Sequence, residues 1–501
     1  MNALLAAATV EVSAGWLVKL SEWVDRIDGY VWGLPLIATV LLTGIITTSF
    51  LRMEHLFHLK RAFFYIVRTE KGSDATGEVS AFGALCTALS ATIGIGNIVG
   101  VATAIGTGGP GALFWMMIAA FFGMATKYAE GLLAVKYREV RPDGKVLGGP
   151  FYYIEKGLGP KWKPLAVMFA IFGTLAAILG IGTITQIHGI TSAVQRFFDP
   201  AFNPADLTTG WQIFGTTYPR CVVISGAIVT VATALVLIGG LKRIATVSTF
   251  IVPFMAVAYL VMCLFVILGN ISHILDAFQT IVRSAFNPEA MTGGVVGSIF
   301  IAMQKGIARG IFSNEAGLGS APIAAAAART NEPARQGLVC MMGTYITIII
   351  CLMTGLTIVL SGSWNPSLGL KGVDITIDAF AKGLAFLPNS SFIASLFLMV
   401  SLVFFAFTTI LGWNYYAERC LEYLVGQRKG VIMAYRFLYI LVVAIGPYLT
   451  VTVVWGLADV FNGLMAFPNL VALILLAPVV WRTTKEFLAK CREREKWVVY
   501  E

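Results

Sequence analysis

Two stretches of this chain hold residue types whose spacing could do chemistry. The first is Ser90-Ala-Thr-Ile-Gly-Ile-Gly-Asn-Ile-Val-Gly100, in which Gly94 and Gly96 bracket Ile95 and Asn97 follows. The second is Gly310-Ile-Phe-Ser-Asn-Glu-Ala-Gly-Leu-Gly-Ser-Ala-Pro322, preceded by Lys305 and Arg309 and carrying Glu315 in its middle. A glycine weakens a helix by about 1 kcal/mol relative to alanine, and a proline removes a backbone donor. A helix broken at either place frees amides at the start of one half and carbonyls at the end of the other. The amides suit a carboxylate, and the carbonyls suit a cation.

Blander readings stand beside these. Gly96 and Gly100 have the small-xxx-small spacing of close helix packing. A nucleotide loop is excluded, because no strand precedes the glycines and their spacing is wrong for a dinucleotide fingerprint. Glu315 lies near the middle of an expected membrane span, and an ionisable group inside a membrane is a functional candidate by default. It either ties broken-helix amides while Lys305 or Arg309 meets an external vestibule, or it touches substrate directly.

The elements that carry these stretches are membrane helices. Only 13% of the residues are charged and 57% are hydrophobic, against about 25% charged in soluble domains. Runs without Asp, Glu, Lys or Arg cover 31–51, 79–126, 164–195, 221–241, 244–275, 336–370, 383–417, 437–458 and 460–481. A crossing takes about 20 apolar residues. The 79–126 run holds two, with a turn at Gly106-Thr-Gly-Gly-Pro-Gly111, and another lies near 293–328. The expectation is an all-α polytopic membrane protein with about eleven transmembrane helices.

Charge sets the orientation. The connections 52–82, 136–164, 241–245, 328–336, 418–436 and 482–501 hold 26 Lys and Arg, and the alternating set holds 7. By the positive-inside rule the basic set is cytoplasmic, the N-terminus outside and the C-terminus inside. The net charge of +9 therefore reports topology, and the partner is the lipid bilayer rather than nucleic acid. The seven cysteines form no Cys-x-x-Cys pair and read as packing residues. His55 and His58 have no carboxylate or thiol pattern to complete a metal site. The first basic residue is Lys19, so no cleaved signal peptide is expected. No nucleophile or metal constellation suggests an intramembrane enzyme, and no obligate protein partner is evident.

Beyond a first helix at 31–51, the remaining ten divide into 79–268 and 293–481, nearly equal halves of 190 and 189 residues. Five spans per half force the second to insert upside down, an architecture of alternating-access carriers. The first helix of each half is the abnormal one, and that correspondence points to the transport site. Residues 52–72 read as a basic amphipathic helix on the cytoplasmic face, 139–163 as a polar cytoplasmic loop, 196–219 and 362–390 as the larger external loops, and 482–501 as a cytoplasmic tail.

Several long motifs in order resemble the alanine or glycine:cation symporter family, the sodium:alanine symporters. They are Ala91-Thr-Ile-Gly-Ile-Gly-Asn-Ile-Val-Gly-Val101, Gly108-Gly-Pro-Gly-Ala-Leu-Phe-Trp-Met-Met117, Gly148-Gly-Pro-Phe-Tyr-Tyr-Ile154 and Arg309-Gly-Ile-Phe-Ser-Asn-Glu-Ala-Gly-Leu-Gly-Ser320. The family's usual Phe-Trp-Met-Trp ends here in Met117, a change expected to touch packing. The resemblance implies the leucine-transporter type fold with a 5+5 inverted repeat in the inner membrane. It implies Na+-driven uptake of L-alanine and glycine, extending to D-alanine. It also implies roles. Thr92, Ile95, Gly96, Asn97, Gln186, Phe312, Ala316, Gly317 and Trp413 would line the substrate site. Carbonyls of Ser90, Ile93 and Phe405 with the hydroxyls of Thr408 and Thr409 would hold sodium. A proton-coupled or exchange carrier on the same fold is the alternative.

The loop asymmetry yields a direct test of topology. A reporter fused after residue 490 is expected to behave as cytoplasmic, and a periplasmic signal there would overturn the orientation.

Overall fold

The computed structural model of the chain describes residues 22–24, 26–67, 76–142, 144–203, 210–213, 216–238, 240–286, 295–449 and 451–498. The N-terminal residues where no signal peptide is expected lie outside the described residues, as does the expected start of the second half at 293.

The main helices are α1 (Leu34–Leu51), α2 (Ala81–Thr92), α3 (Val99–Gly108), α4 (Gly111–Lys136), α5 (Lys163–Leu179), α6 (Ile184–Phe198), α7 (Arg220–Leu237), α8 (Gly240–Gly269), α9 (Val295–Asn314), α10 (Ala321–Ala325), α11 (Pro333–Leu360), α12 (Ser390–Val425), α13 (Lys429–Ile445) and α14 (Val451–Val498). Two short antiparallel hairpins, Glu139–Val140 with Val146–Leu147 and Gly210–Ile213 with Thr216–Pro219, lie in connections between helices. Among the described residues, nine helices are long and apolar enough to cross a membrane. The interrupted pair α2–α3 and the segment α9–α10 are not among those nine.

Polarity is arranged for hydrocarbon. Ile228, Phe250, Phe254 and Phe437 are exposed on the outer faces of α7, α8 and α13, whereas polar groups such as Asn97, Gln186 and Glu315 are buried. Helix α4 packs against α11, α9 and α1, and α12 packs against α2, α5 and α6. Small residues permit the close approach. A Cβ on Gly131 of α4 would come within 2.5 Å of the Cys340 Cβ on α11.

The structure revises four readings of the sequence. The run 164–195 is not one continuous helix, because it breaks at residues 180–183 between α5 and α6. The break between the spans expected at 437–458 and 460–481 lies not at Asp459 but at Gly446–Tyr448 with Leu449 after it, and Asp459 sits inside α14. A charge interrupts the apolar run there but not the helix, because a buried arginine pairs with it. The expected polar loop 139–163 contains the helix Pro150–Leu158, whose Phe151, Tyr152, Tyr153 and Ile154 are buried. The expected tail at 482 is the continuation of α14 to Val498. The amphipathic stretch 52–72 appears as Glu54–Phe57 and Leu59–Val67, with Phe57, Phe63 and Phe64 exposed; residues 68–72 lie outside the described set.

Candidate functional site

The first interruption falls on the glycines. Helix α2 ends at Thr92, Gly94 is extended, Ile95–Asn97 form a single 3₁₀ turn, and α3 begins at Val99. The space around the glycines is filled by site side chains. A Cβ on Gly94 would lie 2.7 Å from Thr409 Oγ1 and 2.8 Å from Gln186 Oε1, and one on Gly96 would lie 2.7 Å from Phe312 Cδ1. The Asn97 amide donates to the Thr92 carbonyl at 3.0 Å, closing the break upon itself. Its Oδ1 accepts from Ser313 Oγ at 2.6 Å, linking the first interruption to α9. The Asn97 carbonyl accepts from Thr354 on α11 at 3.2 Å.

The second interruption follows α9. Glu315, Gly317 and Gly319 adopt positive φ of 55°, 87° and 78° before α10. Glu315 is wholly buried. Its carboxylate accepts from the Trp413 indole at 2.9 Å, from Ser320 Oγ at 2.5 Å and from Thr92 Oγ1 at 3.4 Å. Of the two roles weighed for Glu315, the tie to broken-helix amides is made instead by a residue that the charge-free runs did not single out. Glu130 Oε1, on α4, accepts from the amides of Gly317 and Gly319, each at 3.1 Å, and from Asn469 Nδ2 at 2.7 Å. Asn469 also donates to the Gly317 carbonyl at 2.9 Å and accepts from the Tyr153 hydroxyl. Lys127 Nζ donates to the Glu315 carbonyl at 3.0 Å. Both the freed amides and the freed carbonyls are thus met by α4 and α14.

Gln186 joins the first interruption to a third. Its Nε2 donates to the Ile181 carbonyl at 2.9 Å, and its Oε1 accepts from the Ile95 amide at 3.3 Å. Tyr439 donates to the Gly182 carbonyl at 3.1 Å and to that of Ile410 at 2.7 Å. Gly180-Ile-Gly182 repeats the pattern of Gly94-Ile-Gly96, and that repeat was the available signal for this break.

Three of the residues expected to hold a cation, Ser90, Phe405 and Thr409, meet between α2 and α12. Thr409 Oγ1 donates to the Ser90 carbonyl at 3.0 Å and to the Phe405 carbonyl at 3.0 Å. Thr408 Oγ1 donates to the Phe405 carbonyl at 3.0 Å, a bond within its own helix. Ile93 is the capping residue at the end of α2. All five residues are buried, and the described donors are carbonyls and hydroxyls, the set a hard cation takes.

Lys305 is half-buried on α9. Arg309 does not face an open vestibule: its guanidinium makes two bonds of 2.8 Å to the Asp459 carboxylate. It also lies 4.8 Å over the Trp455 ring and 5.7 Å over that of Phe312. The Trp32 indole donates to the Asp459 carbonyl at 2.8 Å. Phe312 lies against Gly96, Trp413 lies against Glu315, and Ala316 and Gly317 border a small space beside Gly123 and Thr126. The features missed in the sequence are Lys127, Glu130, Asp459 and Asn469. Lys127 and Glu130 looked like the end of a span because the charge-free run stops at Thr126, whereas α4 continues to Lys136.

Interrupted helices facing each other across buried polar groups, in an otherwise apolar bundle, make this a multi-pass membrane transporter. The chain belongs to the sodium:alanine symporter family, which matches residues 17–501. It is an amino-acid symporter, not an enzyme. It is 49% identical over 477 residues to an uncharacterized transporter of Haemophilus influenzae, covering 95% of this chain and 98% of that one. It is 43% identical over 471 residues to the sodium/alanine symporter AgcS of Methanococcus maripaludis, covering 93% and 96%. It is 34% identical over 486 residues to the probable sodium/glutamine symporter GlnT of Bacillus subtilis, covering 96% and 94%. It shares the fold of MhsT, solved in complex with L-phenylalanine, at a TM-score of 0.54 and 13% identity, over 82% of this chain and 98% of that one.

An unpaired buried donor costs about 1–3 kcal/mol. Glu130→Ala strands the Gly317 and Gly319 amides, so its thermal unfolding midpoint in detergent is expected to fall by many degrees. Glu130→Gln keeps a carbonyl oxygen for them and should lose much less; equal losses would show that the charge, not the hydrogen bonds, matters.

Proposed function

We propose that this chain is a sodium-coupled symporter that imports small neutral amino acids, L-alanine and glycine foremost, by alternating access. The observation that carries this reading is the Thr409 hydroxyl, which joins the Ser90 carbonyl at the first interruption to the Phe405 carbonyl on α12. A sodium ion sharing those oxygens with Thr408 and Ile93 would tie together two elements that move apart on opening. An ion drives transport only if it favours one conformation over another, and a cation held between moving parts does so. The 43% identity to a sodium/alanine symporter supports the same ion and substrate.

On this reading the chain has eleven crossings on a leucine-transporter type fold, with an inverted five-helix repeat after the first helix. The N-terminus is outside and the C-terminus is in the cytoplasm of the inner-membrane-bounded cell. The substrate carboxylate sits at the amides of Ile95 and Gly96, with Gln186 turning away from Ile95 to admit it. Thr92 and Asn97 border the same pocket. Phe312, Trp413 and the backbone of Ala316 and Gly317 close around a side chain of methyl size. Proton coupling is the second reading, favoured by a wholly buried Glu315 that contacts both Thr92 and Trp413. Accumulation of labelled alanine in proteoliposomes under a sodium gradient alone, against a proton gradient alone, separates the two.

Two variants test the site itself. A hydrophobic pocket discriminates one methylene by about 1–3 kcal/mol. Trp413→Ala is therefore expected to raise leucine uptake relative to alanine, and unchanged selectivity with transport intact removes Trp413 from the pocket. Thr409→Val keeps the volume and deletes the hydroxyl. The loss of one ligand, about 1–3 kcal/mol, should raise the sodium concentration for half-maximal alanine uptake roughly tenfold to a hundredfold. Thr408→Val should act in the same direction, and normal sodium activation in both variants would sink this ion site.

A further inference from the structure

At the cytoplasmic side the chain that enters α2 is laced to the chain that leaves α10. Val79 and Ala328 form a parallel β-bridge. The amides of Glu78 and Val79 donate to the Ala327 carbonyl at 2.9 and 3.2 Å. In return the Arg329 amide donates to the Val79 carbonyl at 2.8 Å, and the Thr330 amide to that of Thr76 at 3.2 Å. The approach is close: Gly77 has φ of +149°, and a Cβ there would lie 2.4 Å from Arg329 Cα.

One side chain clamps both segments. Arg138, just beyond the end of α4, donates through Nη1 to the carbonyls of Ala326 and Ala328, each at 2.8 Å. Through Nη2 it reaches the Thr76 carbonyl at 2.9 Å, Thr76 Oγ1 at 2.8 Å and the Thr330 carbonyl at 2.6 Å. The planar fork of a guanidinium can serve several acceptors at once, which an ammonium cannot reproduce. A charged side chain spending these donors on main-chain carbonyls of two segments fixes their distance. Neither segment contributes a side chain to the substrate or sodium sites described above.

We propose that Arg138 is the latch of the cytoplasmic gate, a positioning residue that holds the inner ends of the two interrupted helices together while that side is closed. The inference rests on the alternating-access reading. To release solute inward, α2 and α10 must part, and every bond that laces 76–79 to 326–330 must break with them. Arg138 is the group whose removal weakens the lacing without altering its backbone.

Two measurements test this on the full chain. Amide hydrogen exchange in Arg138→Gln should be at least tenfold faster at Glu78, Val79, Arg329 and Thr330. The interiors of α4 and α11 should exchange as before, and Arg138→Lys should fall between. A general loss of structure would instead speed exchange throughout. Unchanged exchange at those four amides would overturn the proposal. In the second test, Val79→Cys with Ala328→Cys places two thiols at bridge positions, a spacing a disulfide spans. Oxidation should stop alanine uptake and reduction should restore it; full uptake by the oxidised protein would overturn the latch. Exchange reads the latch whatever solute is carried. If the unmodified protein took up no alanine while exchange responded as stated, the proposed substrate would fail and the latch would stand.

Discussion

A polar backbone group left unpaired in hydrocarbon costs several kcal/mol, and this constraint organises the whole interior. Among the described residues, helices are interrupted in the bundle at Gly94, at Glu315–Gly319 and at residues 180–183. Each interruption releases amides and carbonyls that its own helix no longer serves. The buried polar side chains stand where those groups are released. Glu130 takes two amides, Asn469 and Lys127 supply donors to two carbonyls, and Gln186 serves one group in each of two interruptions.

The same logic explains the buried charges. Lys127, Glu130, Arg309, Glu315 and Asp459 are all nearly or fully removed from solvent. A buried ion pair seldom adds net stability over an apolar substitute, but removing one partner is strongly destabilising. Arg309 and Asp459 form such a pair between α9 and α14 with two parallel bonds. Stacking of Arg309 on Trp455 and Phe312 fixes the orientation of an aromatic ring that touches Gly96. A charge pair near one end of the bundle thereby sets the shape at its centre.

Much of this could be read from residues in order. Gly94-Ile-Gly-Asn97 marked the first interruption because glycine disfavours helix in any surroundings, and Gly310 to Pro322 marked the second for the same local reason. Of the residues singled out by the family resemblance, Thr409 lies within hydrogen-bond distance of Ser90 and Phe405. What could not be read depended on partners distant in sequence. Asp459 resembled the border of a span until Arg309, 150 positions earlier, was seen beside it. Lys127 and Glu130 resemble the end of a helix because charge usually means water, and only the buried amides of Gly317 and Gly319, from which Glu130 accepts, reverse that inference. Gly180-Ile-Gly182 carried the local signal but sat within a run apolar enough to read as continuous. Local backbone preference is written locally; compensation for a buried charge is not.

The Thr409 hydroxyl has a single hydrogen, yet two carbonyl oxygens lie at equal distance from it, and the Thr408 hydroxyl offers its own hydrogen to one of the same two. Lone pairs therefore outnumber protons among these buried groups. Such a place carries a negative potential without any ionised group, and its strength is set by geometry rather than by pH. On the proposed reading, that potential is what a small cation would meet between α2 and α12.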